Sequence, residues 1–119
     1  MKTILIIEDD KIIKGIIEFL LKKQGFNIVS AGDGMEGIDK IDSSSPDLII
    51  TDVMMPFKSG LEIIAYSKNK NPNVPIVIIS SLGKEDNTVK TAFDLGVDDV
   101  LAKPFNPGQL ADIVTRLLN

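Results

Sequence analysis

A doubly wound α/β fold with a five-stranded parallel sheet is the architecture this sequence predicts. Two observations lead there. Five apolar runs alternate with five stretches in which apolar residues recur at helical spacing, and no long linker interrupts the alternation. Several of the runs are apolar at successive positions, as expected of strands covered on both faces. A length of 119 residues fits one domain.

The first strand is Thr3–Ile7 (TILII), which runs into the acidic cluster Glu8, Asp9 and Asp10. Ile12, Ile13, Ile16, Ile17, Leu20 and Leu21 follow at helical spacing and stop at Gly25, a residue suited to a left-handed cap. A shorter strand covers Asn27–Ala31. Asp33-Gly34 opens a helix through Ile38 and Ile41, and Ser43-Ser44-Ser45-Pro46 breaks it. The third strand, Asp47–Thr51, ends at Asp52. A loop through Pro56–Gly60 leads to a third helix with Leu61, Ile63, Ile64 and Ala65, which Asn71-Pro72 terminates. Pro75–Ser80 is the fourth strand. The polar loop Ser81–Asn87 precedes a fourth helix with Val89, Ala92, Phe93 and Leu95, closed by Gly96. The fifth strand, Asp99–Ala102, stops at Lys103-Pro104. Asn106-Pro107 then supplies an N-cap and a proline at the first helical position, ahead of Leu110, Ile113, Val114, Leu117 and Leu118. All the apolar helix stripes are read as core.

Composition removes whole classes of chemistry. The chain contains neither Cys nor His, which excludes disulfides, thiolate nucleophiles, zinc–sulfur sites and every imidazole-based mechanism. A metal here would need oxygen ligands and so would be a hard ion such as Mg²⁺ or Ca²⁺. Lys plus Arg number 13 against 17 Asp plus Glu, a net charge of −4, which argues against direct nucleic-acid binding. No apolar run is long enough to span a bilayer and no signal peptide is evident, so no membrane association and a cytoplasmic location are expected.

In a doubly wound sheet, ligands sit beyond the carboxyl ends of the strands. Those ends here are Glu8 and Asp9, then Asp52, Ser80 and Lys103. Three carboxylates and one ammonium leave two negative charges, which one divalent cation balances. Oxygen ligands with room for water suit Mg²⁺. A metal, a lysine and a hydroxyl around one aspartate also form a clamp for a transferring phosphoryl group, with the carboxylate oxygen as nucleophile. Singly, each residue has a plainer role: a solvated helix start, a turn cap, a strand-end serine, a surface lysine. Their joint placement at the strand ends carries the functional reading.

The segments IIEDD (6–10), DVMMPFKSG (52–60), IISS (78–81) and AKPF (102–105) resemble the receiver domains of two-component response regulators, in order and over essentially the whole chain. The resemblance implies a flavodoxin-like receiver fold with strand order 2-1-3-4-5, spanning residues 1–119 with no effector domain. It implies that Asp52 is the phosphoacceptor and one of the Mg²⁺ residues, that Asp9 binds Mg²⁺ directly and Glu8 through water, and that Met54 contributes its backbone carbonyl. Ser80 takes the place of the switch hydroxyl, Lys103 pairs with a phosphoryl oxygen, and the Lys103–Pro104 peptide is cis. The implied partner is a histidine kinase or histidine phosphotransfer protein, and the downstream effector is not identified. The protein is then a phosphoacceptor switch rather than an enzyme.

Several positions depart from the family pattern. Val100 stands where Tyr or Phe is usual, so a switch linking Ser80 to a swinging aromatic ring cannot work in that form. Ser81 replaces a common Ala, and Phe57 a common Gly. Gln109 and Ile113 occupy positions that are charged in transcription-factor receivers that pair through their fourth and fifth helices, which leaves the oligomeric state open. The resemblance implies that the positions of Met54 and Leu82 flank the approach of hydrolytic water; both residues are apolar, so a long-lived phosphoryl group is expected. Two other functions on such a sheet fit less well. A flavin-nucleotide site wants a Ser/Thr/Gly-rich loop after the first strand, where this chain has Glu-Asp-Asp-Lys. An aspartate-nucleophile phosphatase wants its two acids two apart in that loop, followed by Thr, and Asp10-Lys11-Ile12 does not supply this. A module that binds partners without phosphorylation would not need the full Asp–Ser–Lys set.

Overall fold

The computed structural model describes residues 1–55, 58–81 and 87–118. Strands and helices alternate as β1 (Thr3–Ile7), α1 (Lys11–Lys23), β2 (Asn27–Ala31), α2 (Gly34–Ser44), β3 (Leu48–Asp52), α3 (Gly60–Lys70), β4 (Ile76–Ser80), α4 (Asn87–Asp94), β5 (Asp99–Ala102) and α5 (Pro107–Leu118). All strand pairings are parallel, in the order β2-β1-β3-β4-β5. Strands β3 and β4 each begin one residue later than the sequence suggests. Pro75 has no N–H to give a ladder, and Asp47 is tied to Thr3 partly through its side chain: its N–H donates to Thr3 O and its carboxylate accepts from Thr3 N–H, both at 2.8 Å.

Two-residue periodicity divides the core into two layers. Ile4, Ile6, Leu48, Ile50, Val77, Ile79 and Leu101 point to the face covered by Ile17 and Leu21 of α1 and Leu110 and Val114 of α5. Leu5, Ile7, Ile49, Ile76 and Ile78 point to the opposite face, beneath Ile41 of α2, Ile63 and Ile64 of α3, and Val89 and Ala92 of α4. On that second face α2 comes very close to the sheet. A Cβ at Gly37 would lie 2.8 Å from Ile7 Cδ1 and 3.0 Å from its Cγ2.

The apolar helix stripes are not wholly core. Ile12 and Ile16 of α1 are exposed, as are Phe93 of α4 and Leu95 just beyond it. The six apolar positions of α1 span about half the helix circumference at ~100° per residue. The sheet buries only the sector centred on Ile17 and Leu21.

Side-chain caps fix where the helices start. Asp10 Oδ1 accepts from the Ile12 and Ile13 amides at 2.9 and 3.2 Å. Ser59 and Glu62 form a capping box at α3, and Asn106 and Gln109 exchange side chain-to-backbone bonds of 2.8 and 2.9 Å at α5. Gly25 (φ 95°) and Gly96 (φ 105°) turn the chain after α1 and α4.

Candidate functional site

The C-terminal ends of β1, β3, β4 and β5 meet at one edge of the sheet, and each carries a polar residue. Pairing of Ile7 with Thr51, Asp52 with Ile79, and Ser80 with Ala102 sets these ends level with one another. Glu8, Ser80 and Asp52 are buried, whereas Asp9 is exposed. One carboxylate oxygen from each of Glu8, Asp9 and Asp52 lies within 4.8 Å of the others. Asp10 does not join them, because its carboxylate caps α1.

Lys103 is shared between two of the acids. Its Nζ lies 3.2 Å from Asp52 Oδ2 and 3.3 Å from Glu8 Oε1. The contact with Asp52 is a hydrogen bond; the contact with Glu8 is an ion pair without hydrogen-bond alignment, and Glu8 Oε1 is buried with no hydrogen-bond partner. Burial pushes the Glu8 carboxyl from 4.5 up to about 7, helped by the neighbouring Asp52 carboxylate and opposed by the Asp10 amide and the Lys103 ammonium. Burial works to lower the Lys103 ammonium, but the Asp52 and Glu8 charges outweigh it and hold it above its ordinary value. A second cation would relieve the same crowding. The oxygen-only donor set and the unpartnered Glu8 oxygen fit a hard divalent ion such as Mg²⁺.

Backbone contacts hold Asp52 in place. Its Oδ1 accepts from Met54 N–H at 3.2 Å, Val53 N–H reaches Ile79 O at 3.2 Å, and Gly60 N–H returns to Val53 O at 3.1 Å. Gly60 is needed for this closure. A Cβ there would fall 2.5 Å from Asp52 O and 2.6 Å from Val53 Cα. In the sequence Gly60 marks only the end of a loop; the signal for it is a glycine directly after a helix cap, a pattern that Asp33-Gly34 shares at the start of α2.

The other expected site residues are placed as follows. The Lys103–Pro104 peptide is cis, and Lys103 N–H donates to Ser80 O at 2.8 Å. The Met54 side chain is 63 % exposed beside Asp52, and it is Met55 that packs inward. Val100 is half-buried against the β4 and α4 layer. Pro56, Phe57 and Leu82 lie outside the described residues. Two clefts flank the sheet ends. One of about 350 Å³, lined by Ile13, Ile16, Lys103, Pro104 and Phe105, adjoins the acidic group. Another of about 460 Å³ lies at the opposite end of the strands, among Ile41, Ile49, Ser67, Val74 and Leu117, away from the carboxylates. No helix among the described residues is long and apolar enough to cross a membrane.

Residues 4–115 match the family described as response regulator receiver domain. The chain is 34 % identical over 118 residues to the transcriptional regulatory protein CpxR of Escherichia coli (strain K12), covering 99 % of this chain and 50 % of that protein. It is 31 % identical over 117 residues to the alkaline phosphatase synthesis transcriptional regulatory protein PhoP of Bacillus subtilis (strain 168), covering 98 % of this chain and 48 % of that one. The chain thus spans about half the length of these curated relatives. Among solved structures, the receiver domain of the Francisella response regulator 1452 superposes with a TM-score of 0.90 at 30 % identity, over 99 % of this chain and 97 % of that one. The chemotaxis response regulator CheY4 of Vibrio cholerae, crystallized at low pH, superposes with a TM-score of 0.92 at 27 % identity, over 99 % of both chains.

Proposed function

The chain belongs to the receiver-domain family of two-component response regulators, and from that membership we propose that it accepts a phosphoryl group on Asp52 from a phosphohistidine donor. The observation that carries this reading is the Lys103 ammonium, 3.2 Å from Asp52 Oδ2 and 3.3 Å from buried Glu8 at the strand ends. In the transfer an Asp52 oxygen bonds to phosphorus, the histidine N–P bond breaks, and the bonding pair leaves with the imidazole. The donor is a histidine kinase or phosphotransfer protein, since this chain has no histidine of its own.

Each residue has a task set by its place. Met54 N–H holds Asp52 Oδ1, which leaves Oδ2 beside Lys103. Lys103 keeps its proton, which suits it to neutralise the negative charge that arrives with the phosphoryl group. Ser80, level with Ala102 on the neighbouring strand, offers a hydroxyl to a phosphoryl oxygen. Glu8, Asp9, Asp52 and the Met54 carbonyl would hold Mg²⁺, Glu8 through water. When bound, the ion supplies positive charge that offsets carboxylate and phosphoryl repulsion. Ser80, α4 and β5 would pass the change to an effector. Val100 is too short to swing as a ring does, so the shift is modest.

Incubation with Mg²⁺ and acetyl phosphate, read by intact mass, tests the acceptor. The wild type gains an adduct of about 80 Da that hydroxylamine removes. Asp52→Asn abolishes it, because an amide is not a competent nucleophile; full labelling of that variant would place the acceptor elsewhere.

A further inference from the structure

Helix α2 supplies none of the side chains proposed to meet the phosphoryl group, yet its first residue closes on the loop that leaves Asp52. A Cβ on Gly34 would fall 1.9 Å from Lys58 O, 2.6 Å from Lys58 C and 2.5 Å from Lys58 Cβ. The first two atoms are backbone, so no side-chain rotation relieves the overlap. Among the described glycines Gly25 and Gly96 have a positive φ and Gly34 does not, so space rather than backbone conformation calls for glycine here. Both partners are held. Asp33 Oδ1 accepts from Glu36 N–H at 2.8 Å, and Glu36 Oε1 accepts from Gly32 N–H at 3.1 Å, which fixes the start of α2. Lys58 runs directly into Ser59, whose N–H donates to Glu62 Oε2 at 3.1 Å. Gly60 follows, and its N–H reaches Val53 O at 3.1 Å. The Lys58–Ser59 peptide is thus next to the bond that closes the loop beneath Asp52, whose Oδ1 the Met54 N–H holds at 3.2 Å.

We propose that Gly34 is a positioning residue for phosphoryl transfer and Mg²⁺ binding, an inference that rests on the phosphoacceptor reading of Asp52. It acts through the Lys58–Ser59 peptide. The missing Cβ lets that carbonyl seat against α2, which sets where Gly60 meets Val53 and where Met54 presents its N–H and its carbonyl. Real Cβ contacts stop near 3.0 Å, so a methyl at position 34 moves the peptide by about 1 Å. A misplacement of that size is worth up to about a hundredfold in rate when it reaches the reacting groups. Gly37, one turn further along α2, provides the contrast. A Cβ there would meet only the Ile7 side chain, at 2.8 Å from Cδ1, so it crowds the core without touching the loop.

Gly34→Ala and Gly37→Ala separate positioning from packing, since each adds one methyl to the same helix. Urea unfolding measures stability, intact mass follows labelling by acetyl phosphate, and NMR titration of the unphosphorylated protein gives Mg²⁺ affinity. Gly34→Ala should label at least about tenfold more slowly at saturating Mg²⁺ and bind Mg²⁺ at least about threefold more weakly. Gly37→Ala should lose stability yet label within about twofold of the wild-type rate. Adding Lys58→Gly to Gly34→Ala removes the Cβ overlap and frees the peptide to turn, and should recover at least about threefold in rate. Wild-type labelling and Mg²⁺ affinity in Gly34→Ala, equal slowing in Gly37→Ala, or a double variant that regains stability but not rate overturns the proposal. If Gly34→Ala does not fold, the wild type decides: on titration with Mg²⁺ the Gly34 amide signal should shift together with those of Met54 and Lys58, and a Gly34 signal that stays fixed overturns the proposal. Failure of acetyl phosphate to label the wild type would overturn the acceptor reading instead, and the Mg²⁺ titrations would still decide the role of Gly34.

Discussion

Replacing Glu8 with Gln should stabilise the metal-free protein at neutral and alkaline pH. Glu8 is fully buried, and its carboxyl is pushed from 4.5 up to about 7. The folded state therefore holds a proton between these values that the unfolded chain has released. Stability conferred by that proton is complete below about pH 4.5 and is lost as pH rises through about 7. At 1.36 kcal/mol per pH unit, the ionised carboxylate costs the native state about 3 kcal/mol above that range. Glutamine keeps the shape without the charge, and Lys103 retains Asp52 as its hydrogen-bond partner. Urea unfolding of wild type and Glu8→Gln, followed by circular dichroism in EDTA from pH 5 to pH 8, isolates the effect as a difference. The variant should gain about 2–3 kcal/mol on the wild type across that interval. Added Mg²⁺ should narrow the gap at pH 8 by binding the wild type more strongly. A stability difference independent of pH, or one favouring the wild type at pH 8, would show that burial of Glu8 does not strain the apo fold.

Three further outcomes are expected. Asp9→Asn removes one carboxylate from the group that lies within 4.8 Å, so thermal melts should show a higher Tm without metal and little response to millimolar Mg²⁺; an undiminished Mg²⁺ shift would place the ion elsewhere. Gly60→Ala drives a methyl into the Asp52 and Val53 backbone and should cost about 2–3 kcal/mol in urea melts and slow labelling by acetyl phosphate. The pair Met54→Asn and Leu82→Glu gives attacking water polar partners and should speed loss of the phosphoryl group roughly tenfold, read as a time course after donor removal; no acceleration would mean these positions do not control the water.

The sheet was legible because its strands are short apolar runs closed by breakers, and β1, β2 and β5 fall where those runs do. The acidic, serine and lysine positions were legible because a parallel sheet sends all its strand ends to one edge. Less could be read where the answer depends on how much surface a neighbour covers. Helical spacing marks Ile12 and Ile17 alike as apolar, yet one is 76 % exposed and the other fully buried. The acidic run likewise does not reveal that Asp10 turns away to cap α1 while Glu8 goes fully inside. Gly60 was missed as a positioning residue because its role lies in contacts with Asp52 and Val53, which only the folded chain brings near.

The tight fit of Ile7 against Gly37 constrains which neighbouring sequences are open to this protein. Alanine at a helix-interior glycine ordinarily gains about 1 kcal/mol, so Gly37→Ala looks like an easy improvement. Here the new methyl would meet Ile7 Cδ1 at 2.8 Å and Cγ2 at 3.0 Å inside a filled layer. Trimming Ile7 to Val removes the nearer atom but alone leaves a void costing about 1 kcal/mol. Valine keeps Cγ2 at 3.0 Å and Cγ1 at 3.1 Å from the new methyl, so the Val–Ala pair eases only the closest contact, and either step taken alone is a loss. The two positions should accordingly change together or not at all.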